Sequence, residues 1–237
     1  MEEILRGIVL NGISYGDNDK ILSIYTIEKG TISARIKGVK KAGAKLKFAS
    51  EPFCFAEYVF SVSNDRRTVI GATLIDSFYP LRNDVKTLYL AYSCLEFVKK
   101  FAKENIVSKN LFTLLIDALK SLSYGEENDR LKVTVEFFIQ ALVLVGYALN
   151  IGDCPLCNDE IKGRVFFDYN TGAFYCEKCK SDGFREIRID TYSALTRLFF
   201  ESQNEENLVN ALKLIDFYIE RKTDENLKTL KDLINFY

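Results

Sequence analysis

The sequence predicts an α+β protein: an N-terminal β-barrel of the OB-fold type, then an α-helical bundle with a four-cysteine ribbon inserted between its helices. Three observations carry this reading. The first 79 residues hold short runs rich in Ile, Val, Tyr, Phe and Thr, separated by turn residues. From residue 82 onward apolar residues recur at helical spacing. Residues 153–189 interrupt that spacing with paired cysteines, glycines and short aromatic runs. The expected divisions are 1–79 for the barrel, 80–152 for the first helical part, 153–189 for the ribbon and 190–237 for the last helical part.

Five strands are expected, over Glu3–Leu10, Lys20–Thr26, Thr31–Lys37, Phe53–Val62 and Thr68–Ile75. Glu28-Lys29-Gly30 supplies a hairpin turn between the second and third. The third alternates, with Ile32, Ala34 and Ile36 on one face and Thr31, Ser33, Arg35 and Lys37 on the other. Five short strands with no long helix among them fit a small closed barrel, and the OB-fold is the five-stranded candidate.

Helical periodicity begins with Val85, Leu88, Tyr92, Leu95 and Val98 inside Arg82–Glu104, with Asn83 or Asp84 as the cap. Leu111–Leu122 follows a possible Ser108 cap. Asp129–Asn150 is apolar on most sides, which places it centrally in a bundle, and Gly152 suits its end. Its run from Val133 to Leu149 is broken by Glu136 and Gln140, so it reads as a core helix and not as a membrane span. Helices are expected again over Thr191–Glu201, Glu205–Arg221 and Asp224–Phe236.

The cysteines carry the sharpest chemistry. Cys154-Pro-Leu-Cys157 and Cys176-Glu-Lys-Cys179 are two CxxC knuckles separated by 18 residues, the spacing of a four-cysteine zinc ribbon. Two intervening residues let both thiolates of a knuckle face one ion, and zinc takes four ligands in a tetrahedron. A hairpin over Arg164–Tyr169 and Ala173–Tyr175, turning at Asn170-Thr171-Gly172, joins the knuckles. Four protein ligands leave no open position, so a structural Zn2+ is expected. Four thiolates around one zinc leave a local charge of about −2, which Lys162, Arg164, Lys178 and Lys180 could offset. Cys54 and Cys94 lie in apolar patterns and read as core residues.

Arg35, Lys37, Lys40, Lys41, Lys45 and Lys47 place six cations in thirteen residues with no acid among them. Gly38 and Gly43 make the segment a loop or turn after a strand. On an OB-fold such a loop would flank the groove where cations follow the phosphates of a single strand; the plain alternative is a solvated loop. Phe48, Phe53, Phe55 and Tyr58 are candidates for base stacking, although aromatics in such strands usually face the core.

Composition narrows the functions. The chain has 237 residues, a net charge of −1 and no histidine. Without histidine, every Ser-His or Cys-His nucleophile system is excluded, and zinc must be held by Cys or carboxylate. No Walker-type phosphate loop is present, so no ATPase is expected, and no catalytic residue or small-molecule substrate site stands out. Met1-Glu2-Glu3-Ile4 does not read as a signal peptide, which predicts a cytoplasmic protein with no membrane role.

Several segments taken together resemble the RecO family of recombination mediators: Gly7-Ile-Val-Leu10, Gly16-Asp-Asn-Asp-Lys-Ile-Leu22, Tyr25-Thr-Ile-Glu-Lys-Gly30, Lys37-Gly-Val-Lys-Lys41 and Glu51-Pro-Phe53. The order of barrel, helices, inserted four-cysteine ribbon and helices is similar as well, over essentially the whole chain. The resemblance implies a non-enzymatic mediator of DNA repair at the bacterial nucleoid. Such a protein binds and anneals single- and double-stranded DNA, joins RecR, and helps RecA replace the single-strand binding protein SSB, whose acidic C-terminal tail it contacts. It implies a DNA-binding role for Arg35, Lys37, Lys40, Lys41, Lys45 and Lys47, and metal ligation by Cys154, Cys157, Cys176 and Cys179. The sequence departs from the family at the ribbon turn, where Ala173 stands in place of a second glycine. Two competing readings stay open: a zinc-ribbon protein–protein adaptor that binds no DNA, and a thiol oxidoreductase using one CxxC.

Overall fold

The computed structural model describes residues 1–196 and 204–237. Its α+β architecture divides into two compact units. One comprises Met1–Asn83 with Leu95–Ser123, the other Asp84–Cys94 with Tyr124–Tyr237.

The first unit is built on a closed barrel of β1 (Glu2–Tyr15), β2 (Asp19–Thr26), β3 (Gly30–Ile36), β4 (Phe55–Ser63) and β5 (Arg66–Asp76), in the order β1-β2-β3-β5-β4. All five expected strands are present. β1 is longer than the sequence indicated because it serves two neighbours. Glu2–Ile8 pairs with β4, Gly7–Tyr15 pairs with β2, and the register shifts between Val9 and Asn11. Such a bulge lets one strand bend around a barrel corner. Gly7 sits in the stretch shared by both ladders, where an added Cβ would lie 2.7 Å from Ile24 Cγ2, so no larger residue fits. A parallel pairing of only three residue pairs, Ala34↔Arg67 to Ile36↔Val69, closes the barrel.

Inside lie Leu5, Val9, Leu22, Ile24, Ile32, Ala34, Ile36, Tyr58, Phe60 and Val69. The alternation of β3 holds from Ile32 to Ile36. Thr31 departs from it and is buried, because its hydroxyl donates to the Ala102 carbonyl at 3.2 Å while its own carbonyl accepts from Asn105 N–H. The helical residues of this unit are the end of α1 (Val85–Phe101) and most of α2 (Lys109–Tyr124). Phe112 of α2 lies 5.6 Å from the Tyr25 ring and 5.8 Å from Phe55, which joins the helix to the barrel wall. Ser108 caps α2 weakly, its hydroxyl 3.4 Å from Leu111 N–H. Cys54 is buried here and Cys94 in the other unit; burial raises both thiol pKa values, as core residues require.

The second unit holds the start of α1, where Asp84 accepts from Thr87 N–H at 2.7 Å as the N-cap. It also holds α3 (Arg130–Leu144), β6 (Val165–Asp168), β7 (Ala173–Cys176), β8 (Arg185–Ile187), α4 (Ile189–Thr196), α5 (Glu205–Thr223) and α6 (Lys228–Ile234). α3 ends six residues earlier than the expected helix Asp129–Asn150. Gly146, at φ +86°, closes it in a Schellman arrangement, with Tyr147 N–H on the Leu142 carbonyl and Gly146 N–H on that of Val143. Gly152 therefore lies in the connection to the ribbon. The expected helix over Thr191–Glu201 is seen as far as Thr196, and its remainder falls outside the described residues. Asn204 caps α5 through its side-chain oxygen, 2.8 Å from Asn207 N–H.

The ribbon is seated on helices. β6 pairs with β7 and, on its other side, with β8, a third strand the sequence reading had missed. Phe167 and Phe174 pack at 4.9 Å with their rings tilted by 43°, Phe174 meets Tyr192 of α4 at 5.2 Å, and Phe167 meets Tyr218 of α5 at 5.8 Å. The turn falls at Asn170-Thr171-Gly172 as expected. The buried Asp168 carboxylate holds it, accepting from Asn170 N–H at 2.9 Å and the Thr171 hydroxyl at 2.8 Å.

Candidate metal centre and nucleic-acid interface

The two knuckles converge at the open end of the ribbon hairpin. Cys154, Cys157, Cys176 and Cys179 bring their sulfurs within 4.8 Å of one another, and this cluster could hold a metal ion. The Cys157 and Cys176 sulfurs are 3.7 Å apart. A regular tetrahedron with metal–sulfur bonds of about 2.3 Å has sulfurs about 3.8 Å apart, so the spacing fits such an ion. Local backbone shapes the first knuckle. Asn158 turns left-handed at φ +58°, its N–H bonds the Cys154 carbonyl at 2.8 Å, and Cys154 N–H bonds the Asp159 carbonyl at 3.0 Å.

The electrostatics of the cluster are those of a cation site. Burial raises the Cys154 pKa, but N–H groups of Cys176, Cys157 and Leu156 directed at its sulfur outweigh this and bring it down to about 6. Burial and the three neighbouring sulfurs push Cys179 up to about 12. One thiolate is thus favoured by the backbone, and further negative charge beside it is opposed until a cation shares the site. Three of the nearby cations have partners other than the sulfurs. Arg164 is bridged to Glu177 at 2.8 Å and Glu186 at 2.7 Å, Lys162 to Glu160 at 2.9 Å, and Lys180 lies over the Phe166 ring.

The basic segment is a chain of tight turns on the barrel. Lys41, Ala44, Lys47 and Ser50 N–H groups each bond the carbonyl three residues earlier. Val39 and Ala49 are buried in the barrel core and Leu46 packs against it, so the loop is pinned at intervals. Lys37, Lys40, Lys41, Lys45 and Lys47 are left exposed, and none makes an ion pair among the described residues. Arg35 differs from them. It is paired with Asp19, with Nε 2.7 Å from Oδ2, and its guanidinium lies 4.9 Å from the centre of the Tyr15 ring. Asp19 also accepts from Gly38 N–H at 2.8 Å. Gly38 and then Arg35 hold its carboxyl below the usual range, and the pair fixes the base of the loop.

Of the candidate stacking residues, Phe53 and Tyr58 are fully buried, Phe55 is half-buried against Phe112, and Phe48 is exposed. A second exposed ring beside the cations is Tyr15, 48% accessible, which the sequence reading did not single out. Also missed is a groove of about 600 Å³ on the barrel wall next to Lys37, lined by Ser61, Ser63, Asn64, Arg66 and Thr68, with Ile70 at its edge. Sequence alone gave no means of separating Arg66 from Arg67. Only the register puts Arg66 in the groove, while Arg67 is engaged with Glu3 at 2.9 Å.

Comparison with known proteins agrees with this layout. The profile "Recombination protein O N terminal" matches residues 1–78, and "Recombination protein O C terminal" matches residues 82–231. The chain is similar to the DNA repair protein RecO of Acetivibrio thermocellus, 26% identical with 94% of this chain and 93% of the relative covered. The corresponding protein of Caldicellulosiruptor bescii is 27% identical over 95% of this chain and 88% of its own length. That of Bacillus subtilis (strain 168) is 27% identical over 96% and 92%. With both halves matched in order, the chain belongs to the recombination protein O (RecO) family.

Proposed function

We propose that this protein is a non-enzymatic recombination mediator acting in DNA repair. It binds single- and double-stranded DNA through the barrel, anneals complementary strands, and works with RecR to load RecA on SSB-coated single strands, contacting the SSB C-terminal tail. The observation that carries the reading is the basic loop: five exposed lysines without ion pairs among the described residues, pinned on a five-stranded barrel in a chain of this family. Lysine is a point charge, so the loop binds phosphates with little regard to sequence. Neutralising phosphates on one strand lowers the repulsion that a second strand must overcome, which is the physical basis for annealing. In this reading Arg35 contributes less than the lysines, because its charge is already shared with Asp19.

The four ribbon cysteines hold one structural Zn2+ in this proposal. With four thiolates around it the ion has no open position, so when bound it cross-links the two knuckles and offers no Lewis-acid site. The segments 153–189 and 1–79 are then the metal-stabilised and the DNA-binding parts. The proposed place of action is the nucleoid in the cytoplasm, with no membrane partner and no small-molecule substrate; no helix of the described residues is long and apolar enough to cross a membrane.

The test is strand annealing of complementary oligonucleotides with purified protein, alone and with SSB and RecR, without nucleotide. Salt-sensitive annealing that persists on SSB-coated strands is expected. A protein that binds no DNA at low salt would overturn the proposal in favour of a protein–protein adaptor. Thiol-dependent turnover of disulfide substrates would favour an oxidoreductase.

A further inference from the structure

The groove beside the basic loop lies next to the seam that closes the barrel. β3 pairs with β5 for three residues only and ends at Ile36, while β5 continues to Asp76. Beyond Ile36 the chain turns away at Gly38, φ +65°, into the basic loop. The start of β5 and the β4–β5 hairpin, beside this seam, line the 600 Å³ groove together with Lys37. Antiparallel pairing sets Ser61 opposite Thr68 and Ser63 opposite Arg66, so their side chains line it together. Lys37, the first cation of the loop, lines it as well. No carboxylate is among the lining residues, and neither Lys37 nor Arg66 has an ion pair among the described residues. Ile70, 47% accessible, supplies an apolar edge.

From this we infer that the groove is a subsite for single-stranded nucleic acid, with Lys37 and Arg66 holding a phosphodiester and Ile70 packing against the attached sugar or base. The inference rests on the DNA-binding reading above and adds a division of labour to it. Two cations on a concave surface with no carboxylate among its lining residues favour an anion there. The hydroxyls of Ser61, Ser63 and Thr68 and the Asn64 amide offer donors to the non-bridging oxygens. A polymer suits the site better than a free anion, because Lys37 belongs both to the groove and to the loop that continues through Lys47. A strand lying along the loop cations runs into the groove without a break.

The volume falls within the roughly 300–1,000 Å³ of ordinary ligand sites, enough for a nucleotide unit and too confined for a duplex. A duplex is stiff over about 50 nm and keeps its bases stacked inside, so it meets the exposed lysines but cannot bring a base to Ile70. The loop lysines should therefore serve both forms of DNA, whereas the groove serves single strands alone.

The experiment measures binding of fluorescent oligo(dT) and of a duplex of equal length across a salt series. It compares the parent, Arg66→Ala, Ile70→Ser and the triple variant Lys40→Ala/Lys41→Ala/Lys45→Ala, with thermal melting to confirm that each is folded. Arg66→Ala should weaken oligo(dT) binding by roughly five- to tenfold and reduce its salt slope by about 0.7, leaving the duplex unaffected. Ile70→Ser should weaken oligo(dT) binding without changing the slope, since it removes no charge. The triple variant should weaken both ligands. If the parent and triple variant behave so but Arg66→Ala and Ile70→Ser bind oligo(dT) like the parent, the groove assignment is wrong and the loop reading stands. Equal loss on both ligands for Arg66→Ala also overturns it. A parent that binds neither ligand removes the DNA-binding reading itself.

Discussion

The cysteine cluster and the basic loop are both built from like-charged groups, yet the fold treats them in opposite ways. In the ribbon, four sulfurs are turned inward until they lie within 4.8 Å of one another, a geometry in which one cation can satisfy all of them. On the barrel, Val39, Leu46 and Ala49 are turned inward, and the lysines between them are spread into solvent. A convergent site acts on the chain that contains it, and its ligand contributes to folding. In the proposed function the divergent site acts on an extended partner and contributes almost nothing to the stability of its own fold. The two regions should therefore respond to substitution in different currencies, stability in one and affinity in the other.

The largest effect is expected in the ribbon. Cys176→Ser with Cys179→Ser should take metal content from about one equivalent to none, measured by elemental analysis of protein purified without chelator. Structural zinc supplies on the order of 10 kcal/mol in isolated zinc fingers. Here the packing of Phe167 and Phe174 against Tyr218 and Tyr192 should retain the sheet while the knuckles lose order. Full metal retention in the double variant would mean that other groups hold the ion. Next comes the lysine triple variant at Lys40, Lys41 and Lys45. Its single-strand affinity should fall roughly 10- to 100-fold at low salt, with the salt slope lower by about 2 and the melting temperature unchanged. A loss of stability would show that the loop is not purely an outward-facing site.

Smaller effects sharpen the contrast. Val39→Ala removes two buried carbons beneath the loop and should cost about 2 kcal/mol of barrel stability in denaturant titration. It should leave the salt slope intact, because every lysine is still present. A changed slope would mean that Val39 sets where the lysines point. The smallest effect is expected from Arg164→Ala. Its bridges to Glu177 and Glu186 are exposed to solvent and screened, so melting and metal content should barely move. Loss of metal in that variant would give Arg164 a role in balancing the charge of the sulfurs.

The convergent site was legible from spacing alone, since two CxxC pairs 18 residues apart admit few geometries other than a shared ion. The five strands were legible for a similar reason: alternation along β3 and the turn before Gly30 are local signals. The divergent site was legible only as a list of cations. That Arg35 is ion-paired while Lys37 is not depends on Asp19, sixteen positions from Arg35 in sequence and reached across the β2–β3 ladder. Likewise Arg66 and Arg67 are adjacent in sequence but differ in surroundings, Arg66 lining the groove and Arg67 paired with Glu3, a distinction set by strand register. The early end of α3 was hidden because an apolar run does not reveal which glycine will take the left-handed turn. Thr31 was misplaced because its burial is imposed by backbone groups of residues 102 and 105.

The short parallel seam between β3 and β5 also bears on how the barrel is made. β1, β2 and β3 form a meander and β4 and β5 a hairpin, each from strands adjacent in sequence. Joining residues 34–36 to residues 67–69 requires closing the long intervening chain, at an entropic cost that only three residue pairs offset directly. Contacts of this kind are slow to form and raise contact order. The basic loop and the groove are both products of that step, one lying within the closed segment and the other along its edge. A chain in which this seam is still open would carry the same lysines without the closed barrel proposed to hold them against phosphates.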